Sequence, residues 1–212
     1  PYGPAGHSPT EPIWDTTGGK FGPFAGQMLM GDQTKSIISR IALEKVGGEY
    51  QGAVFRFRRG FGSGITRMAF GPDGALWVGG TDRGWGATGG KPFALERLVY
   101  TGRSPFDVGR MSLTKDGFEL TFTRPVDVAS VKRPETYAFS HYGLRYWSTY
   151  GSPHVGTTSV AVTGVEVSAD GTKVRVVLPA LVAGRVYELR LRGVRAADGA
   201  PLLHDTAWYT LN

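Results

Sequence analysis

Residues 53–59, AVFRFRR, alternate without a break. Val54, Arg56 and Arg58 fall on one side and Phe55 and Phe57 on the other, the period-2 signature of a half-buried strand. The same kind of pattern recurs on both sides of this segment. QMLMGD (27–32) is a short apolar strand. IISRIALEKV (37–46) sets Ile38, Arg40 and Ala42 against Ile37, Ser39 and Ile41, then reaches Gly47-Gly48, a hairpin signal. ITRMAF (65–70), ALWVGG (75–80) and LERLVY (95–100) follow, separated by Gly/Asp turns. A helix competes for 37–46, but its β-branched residues and flanking glycines favour a strand. Six strands are therefore expected between 27 and 100.

The second half repeats the theme with different spacing. MSLTKDGFELTFTRPVD (111–127) is two strands joined by Lys115-Asp116-Gly117, and TYAFSHYGLRYWSTYG (136–151) is aromatic and alternating. Residues 160–202 carry at least three strands joined by Ala-Asp-Gly and Ala-Gly turns, and AWYTLN closes the chain as a last strand. Seven or so short strands in this span predict an immunoglobulin-like sandwich. With no cysteine in the chain, Val, Leu and Tyr packing has to replace the inter-sheet disulfide of antibody domains.

Composition sharpens the partition. Of 32 glycines, 22 lie in residues 1–103 and 10 in 104–212. This shift marks a boundary near Gly102–Pro105. Residues 1–26 are rich in Pro, Gly and Thr and read as an extended arm pinned by Trp14, Phe21 and Phe24. The expected organisation is an arm over 1–26, a partial propeller-like β region over 27–103 and an immunoglobulin-like sandwich over 104–212. The fold class is all-β. No apolar run approaches the roughly 20 residues of a membrane-spanning helix. A chain opening on Pro1 rather than Met is expected to have lost a signal peptide or a longer upstream segment. The net charge of +6 is spread along the chain, densest at Arg56, Arg58 and Arg59. It favours acidic proteins or lipid headgroups as partners; no nucleic-acid motif is present.

The propeller reading begins at GPDGALWVGG (71–80): a tight Pro-Asp-Gly turn, then a short aromatic strand ending in paired glycines. A propeller closes with four to eight blades, and six strands make at most two. The segments 22–61 and 63–106, in order, resemble the last blades of large secreted bacterial sorbosone/glucose-dehydrogenase-like propellers. These are often fused to cytochrome c and occur in planctomycete and verrucomicrobial genomes. MSLTKDGFELTFTRPVD, STYGSPHV (148–155) and PLLHDTAWYTLN (201–212) resemble the sandwich that follows the propeller in such proteins. The resemblance implies an extracytoplasmic location and a redox context. Two blades supply only part of an axial quinone pocket, so it carries over no catalytic or cofactor-binding residue. Cys-x-x-Cys-His haem attachment is excluded.

Candidate chemistry is sparse. His7, His141, His154 and His204 have no ligand spacing, although His141 and His154 bracket a hairpin (139–155) and could meet across it; no metal is assigned. Most aspartates sit in Gly-bearing turns, which their side chains support, and no Asp-x-Asp-x-Asp run suggests calcium. GFGSGIT (60–66) lacks the strand-to-helix switch of a nucleophile elbow. TDRGWGATGGK (81–91) is not a phosphate loop, but Arg83 and Trp85 could form a stacking platform in it. RYWSTYG (145–151) offers an aromatic strip. The expected role is a non-catalytic, periplasmic or secreted accessory subunit docking on a membrane-associated electron-transfer complex, respiratory or photosynthetic. Its partner-binding residues would be Trp14, Phe21, Phe24, Arg56, Arg58, Arg83, Trp85, Tyr146, Trp147 and Tyr150. The alternatives are a fragment of a pyrroloquinoline-quinone-type sugar dehydrogenase and a carbohydrate-binding module.

Overall fold

A computed structural model describes residues 3 and 5–212. The fold is all-β: the described residues form fifteen strands, one four-residue helix and one 3-10 turn. It divides into two compact units. One comprises Pro1–Ile41 with Val54–Ser104, the other Ala42–Ala53 with Pro105–Asn212. The segment 42–53, which the sequence groups with residues 27–103, thus belongs to the later unit.

The first unit opens with β1 (Pro9–Trp14), β2 (Met28–Asp32), β3 (Ile37–Val46) and β4 (Glu49–Arg59), in that spatial order. A second meander follows: β5 (Ile65–Phe70), β6 (Leu76–Thr81) and β7 (Phe93–Leu98). The six strands expected between 27 and 100 are β2 to β7. Strand β1 comes from the stretch expected to be an arm. Its sequence hides it, because Pro9 and Pro12 cannot donate to a ladder and read as breakers. Both are tolerated on an edge strand, where β1 also bulges between Thr10 and Pro12, with Glu11 at φ 41°.

The core of this unit is one cluster that includes Phe21, Phe24, Leu29, Ile38, Phe57, Ile65, Leu76 and Val78. Phe21 and Phe24 therefore pack inside rather than offer a docking surface. Phe21 meets Phe70 edge-on at 5.2 Å, and Phe24 meets Phe57 edge-on at 6.1 Å. Arg40 is fully buried among them. Its guanidinium lies 4.0 Å from the Phe24 ring centroid and 4.3 Å from that of Phe55, and it donates to Gln27 Oε1.

The second unit contains β8 (Val108–Thr114), β9 (Gly117–Phe122), β10 (Tyr137–Leu144), β11 (His154–Val160), β12 (Gly164–Val167), β13 (Lys173–Val177), β14 (Arg185–Leu191) and β15 (Thr206–Leu211). One sheet runs β12-β13-β9-β8; the other runs β4-β15-β14-β10-β11. Across the two units the strand pairs β1–β2, β2–β3, β5–β6, β6–β7, β8–β9, β9–β13, β12–β13, β10–β11, β10–β14 and β14–β15 are antiparallel. They face each other across buried aromatics. Phe118 of β9 lies 5.9 Å from Phe139, 5.3 Å from Tyr187 and 5.0 Å from Tyr209 of the opposite sheet. The far end of the β3–β4 hairpin is latched here by polar groups. The Tyr209 hydroxyl donates to Glu44 Oε1 and accepts from Gln51 Nε2 at 2.8 Å. Glu44 also accepts from Leu113 N–H at 2.7 Å. Gly52 is required by close approach: a Cβ there would sit 2.1 Å from the Ala42 carbonyl oxygen.

Candidate binding surfaces

At one end of the first unit three connections converge: the β2–β3 turn, the 60–64 link and the long β6–β7 loop. Asp32 organises the first. Buried, it accepts the backbone N–H groups of His7, Ser8 and Lys35. The β6–β7 loop is stitched onto that turn. Thr88 donates its N–H and its hydroxyl to the Thr34 carbonyl at 2.9 and 3.0 Å, Gly89 N–H donates to Ser36 Oγ at 3.0 Å, and Gln33 Nε2 donates to the Trp85 carbonyl at 2.6 Å. The 60–64 link is fixed in turn by Lys91 N–H to the Gly62 carbonyl at 3.0 Å, Ser63 Oγ to the Lys91 carbonyl at 2.6 Å and Gly62 N–H to Glu96 Oε2 at 2.9 Å. Between them lies a groove of about 380 Å³ lined by Lys35, Ser36, Phe61, Thr88, Lys91 and Glu96, among others.

Trp85 projects from this end, 55% exposed, with its indole N–H donated to Thr34 Oγ1 at 2.8 Å. The ring is therefore oriented as well as exposed, which the sequence could only suggest. Arg83, on the same loop, is exposed. Lys35, Ser36, Lys91 and Glu96 were missed. No motif spacing joins them; the glycine density of residues 84–90 was the one sign that this loop folds back.

A second surface is the outward face of β5-β6-β7. Register places Trp77 opposite Arg97, Gly79 opposite Leu95 and Thr81 opposite Phe93. Phe93 is 77% and Leu95 72% exposed, and Trp77 and Val99 are also exposed. Arg97 lies across this face, 5.6 Å from the Trp77 ring and paired with Asp73. That pairing and the Ala75 N–H hold the Asp73 carboxyl below its ordinary value. The two edges of this sheet differ. At β5, the hydroxyl of Thr10 donates to the Ile65 carbonyl at 2.8 Å and Glu11 pairs with Arg67 at 3.1 Å. Strand β7 ends the sheet order, with no strand neighbour beyond it among the described residues. Trp14 on β1 and Arg56 and Arg58 on β4 are exposed elsewhere in the first unit.

In the second unit, Tyr146, Trp147 and Tyr150 are all exposed in the β10–β11 connection. Trp147 is held by its indole N–H on the Gly151 carbonyl and by Arg145, 5.8 Å from its ring. The two hairpin histidines make separate contacts. His154 stacks on Tyr142 at 3.7 Å and 10°, while His141 lies 5.2 Å from the Tyr187 ring. Burial holds the His154 imidazole below its ordinary value, against the opposing pull of Glu188. Burial, with Glu188, pushes the Tyr142 phenol up. Among the described residues no group of three or more His, Cys, Asp or Glu could hold a metal, and no helix is long and apolar enough to cross a membrane.

No protein-family model and no curated protein matches this chain. Solved structures of the bacterial S-layer protein SbsC overlay on about half of it. Its N-terminal part matches at 24% identity over 50% of this chain and 24% of its own length, with a TM-score of 0.39. The rSbsC(31-844) structure matches at 26% identity over 51% of this chain and 14% of its own, with a TM-score of 0.40. The chain therefore spans a quarter or less of the structures it resembles.

Proposed function

We propose that this chain is a non-catalytic accessory subunit, exported from the cytoplasm, that docks on a membrane-associated electron-transfer complex. The observation that carries the docking role is the face of β5-β6-β7. Phe93, Leu95, Trp77 and Val99 form an apolar strip beside β7, which has no strand neighbour on its outer edge among the described residues. Such an edge promotes association unless something covers it. Residues 9–14 cover the β5 side and leave the β7 side open. The occupant this geometry suits is a protein that adds a strand to β7 and packs apolar side chains on the strip.

The architecture fits that role. The two antiparallel meanders of the first unit support a reading as two propeller blades, the second carrying three strands where a blade has four. The order β8-β9-β13-β12 against β15-β14-β10-β11 supports an immunoglobulin-like reading of the second unit. The resemblance to cytochrome-associated propellers supplies the redox context. Gentle solubilisation of native membranes tests the proposal. The chain should co-migrate with a cytochrome-containing assembly, and Leu95→Asp should release it. A wild-type chain that runs free of any such assembly overturns the reading.

A further inference from the structure

The groove at the loop end of the first unit carries chemistry that the docking face does not use. Its volume of about 380 Å³ lies within the range of small-molecule sites, about 300–1,000 Å³. Lys35 and Lys91 both line it, and among the described residues neither forms an ion pair. Glu96, the one carboxylate in the lining, already accepts the Gly62 N–H. The balance favours an anion.

The anion is not a simple phosphate. Phosphate cradles present converging backbone N–H groups, and here the N–H groups of Gly62, Gly89 and Lys91 are committed to Glu96, Ser36 and the Gly62 carbonyl. The remaining polar groups suit hydroxyls. Ser36 is buried and sits at φ 53°, a left-handed conformation that a non-glycine residue adopts at a cost and that clusters at functional sites. Its oxygen accepts the Gly89 N–H, so its own proton is left to donate. Glu96 accepts. Trp85, outside the lining on the β6–β7 loop, is tied to the β2–β3 turn through Thr34, the neighbour of Lys35. A carboxylate, several hydroxyls and an apolar C–H face occur together in one ligand class.

We infer that this groove binds a uronic-acid unit of an acidic saccharide. Lys35 and Lys91 meet the carboxylate, Ser36 and Glu96 meet ring hydroxyls, and Trp85 stacks on the adjoining sugar ring. The site is independent of the docking proposal, because it uses the loop end and not the outward sheet face.

Calorimetric titration of the whole chain with trigalacturonate, maltotriose, galacturonate and inorganic phosphate tests the site. Trigalacturonate should bind at least about tenfold more tightly than maltotriose, a difference well within what a single charge-assisted contact supplies. Lys35→Ala and Lys91→Ala should each weaken it by about tenfold, and Trp85→Ala should weaken the trisaccharide but not the monomer. Should a lysine variant melt below the wild type, backbone amide shifts of Gly62 and Gly89 in the unaltered chain give the same answer, and they should move with the acidic sugar alone. Absence of trigalacturonate binding, equal binding of maltotriose, displacement by equimolar phosphate, or undiminished binding by both lysine variants overturns the assignment.

Discussion

Arg40 is a cation with almost no water around it. Burying such a charge costs several kcal/mol, and it persists because two ring faces and an amide oxygen replace its hydration. A desolvated cation over an aromatic face gains about 2 kcal/mol. Phe24→Ala should therefore cost about 3–5 kcal/mol for the cavity, with a further loss from uncovering the guanidinium. Thermal melts should place Phe24→Ala below Phe21→Ala, which opens a cavity but uncovers no charge. Tyr209 poses the converse case. Removing its hydroxyl leaves buried Gln51 and half-buried Glu44 short of a partner, so Tyr209→Phe should lose about 1–3 kcal/mol by denaturant titration. His154 gives a pH effect. Its folded form releases its proton more readily than the unfolded chain, whose histidine titrates near 6.5. The stability it contributes is therefore present above pH 6.5 and drains away as pH falls below it. The wild-type melting temperature should fall more steeply over that window than that of His154→Phe.

Turns decide the elements. Gly47 and Gly48 sit at φ 59° and 95°, the two positive values that a two-residue turn between long strands demands, and their dipeptide is the plainest turn signal in the chain. The 168–173 turn depends instead on Asp170. Bonds from Ser168, Thr172 N–H and the Thr172 hydroxyl lower its carboxyl from 3.8 to about 2. A depressed carboxylate stabilises above its unfolded value, and its contribution disappears as pH falls through about 2. An NMR titration of the Asp170 carboxyl should find its midpoint near 2, and Ser168→Ala should move it up. Alternation made β3 to β6 legible because their faces differ in polarity. It could not reveal β1, whose prolines are permitted only by its edge position, nor Arg40, whose charge reads as solvent-facing until Phe24 and Phe55 arrive from distant segments. The groove escaped for a similar reason: its lysines and Ser36 belong to three connections that share no sequence pattern.

At the scale of the molecule, polarity in sequence identified two β-rich regions but misplaced the division between them. A composition shift at Gly102–Pro105 marks where the chain leaves the first unit for the last time. It carries no trace of the earlier excursion through residues 42–53, because a strand serving two units alternates like any other. This has a measurable result. Residues 105–212 alone lack Glu44 and Gln51 and would bury the Tyr209 hydroxyl without its partners. That fragment should unfold at markedly lower denaturant than the same unit in the whole chain, and a peptide spanning 42–53 should restore part of the difference.

The excursion of β3 and β4 also bears on how such a protein can be inherited. Modules joined end to end are exchanged by recombination at a single junction. Here a break anywhere between the units leaves a hairpin behind, so one part cannot be replaced without rebuilding the other. Substitutions at Glu44, Gln51 and Tyr209 are therefore expected to compensate one another although the three lie far apart in the sequence.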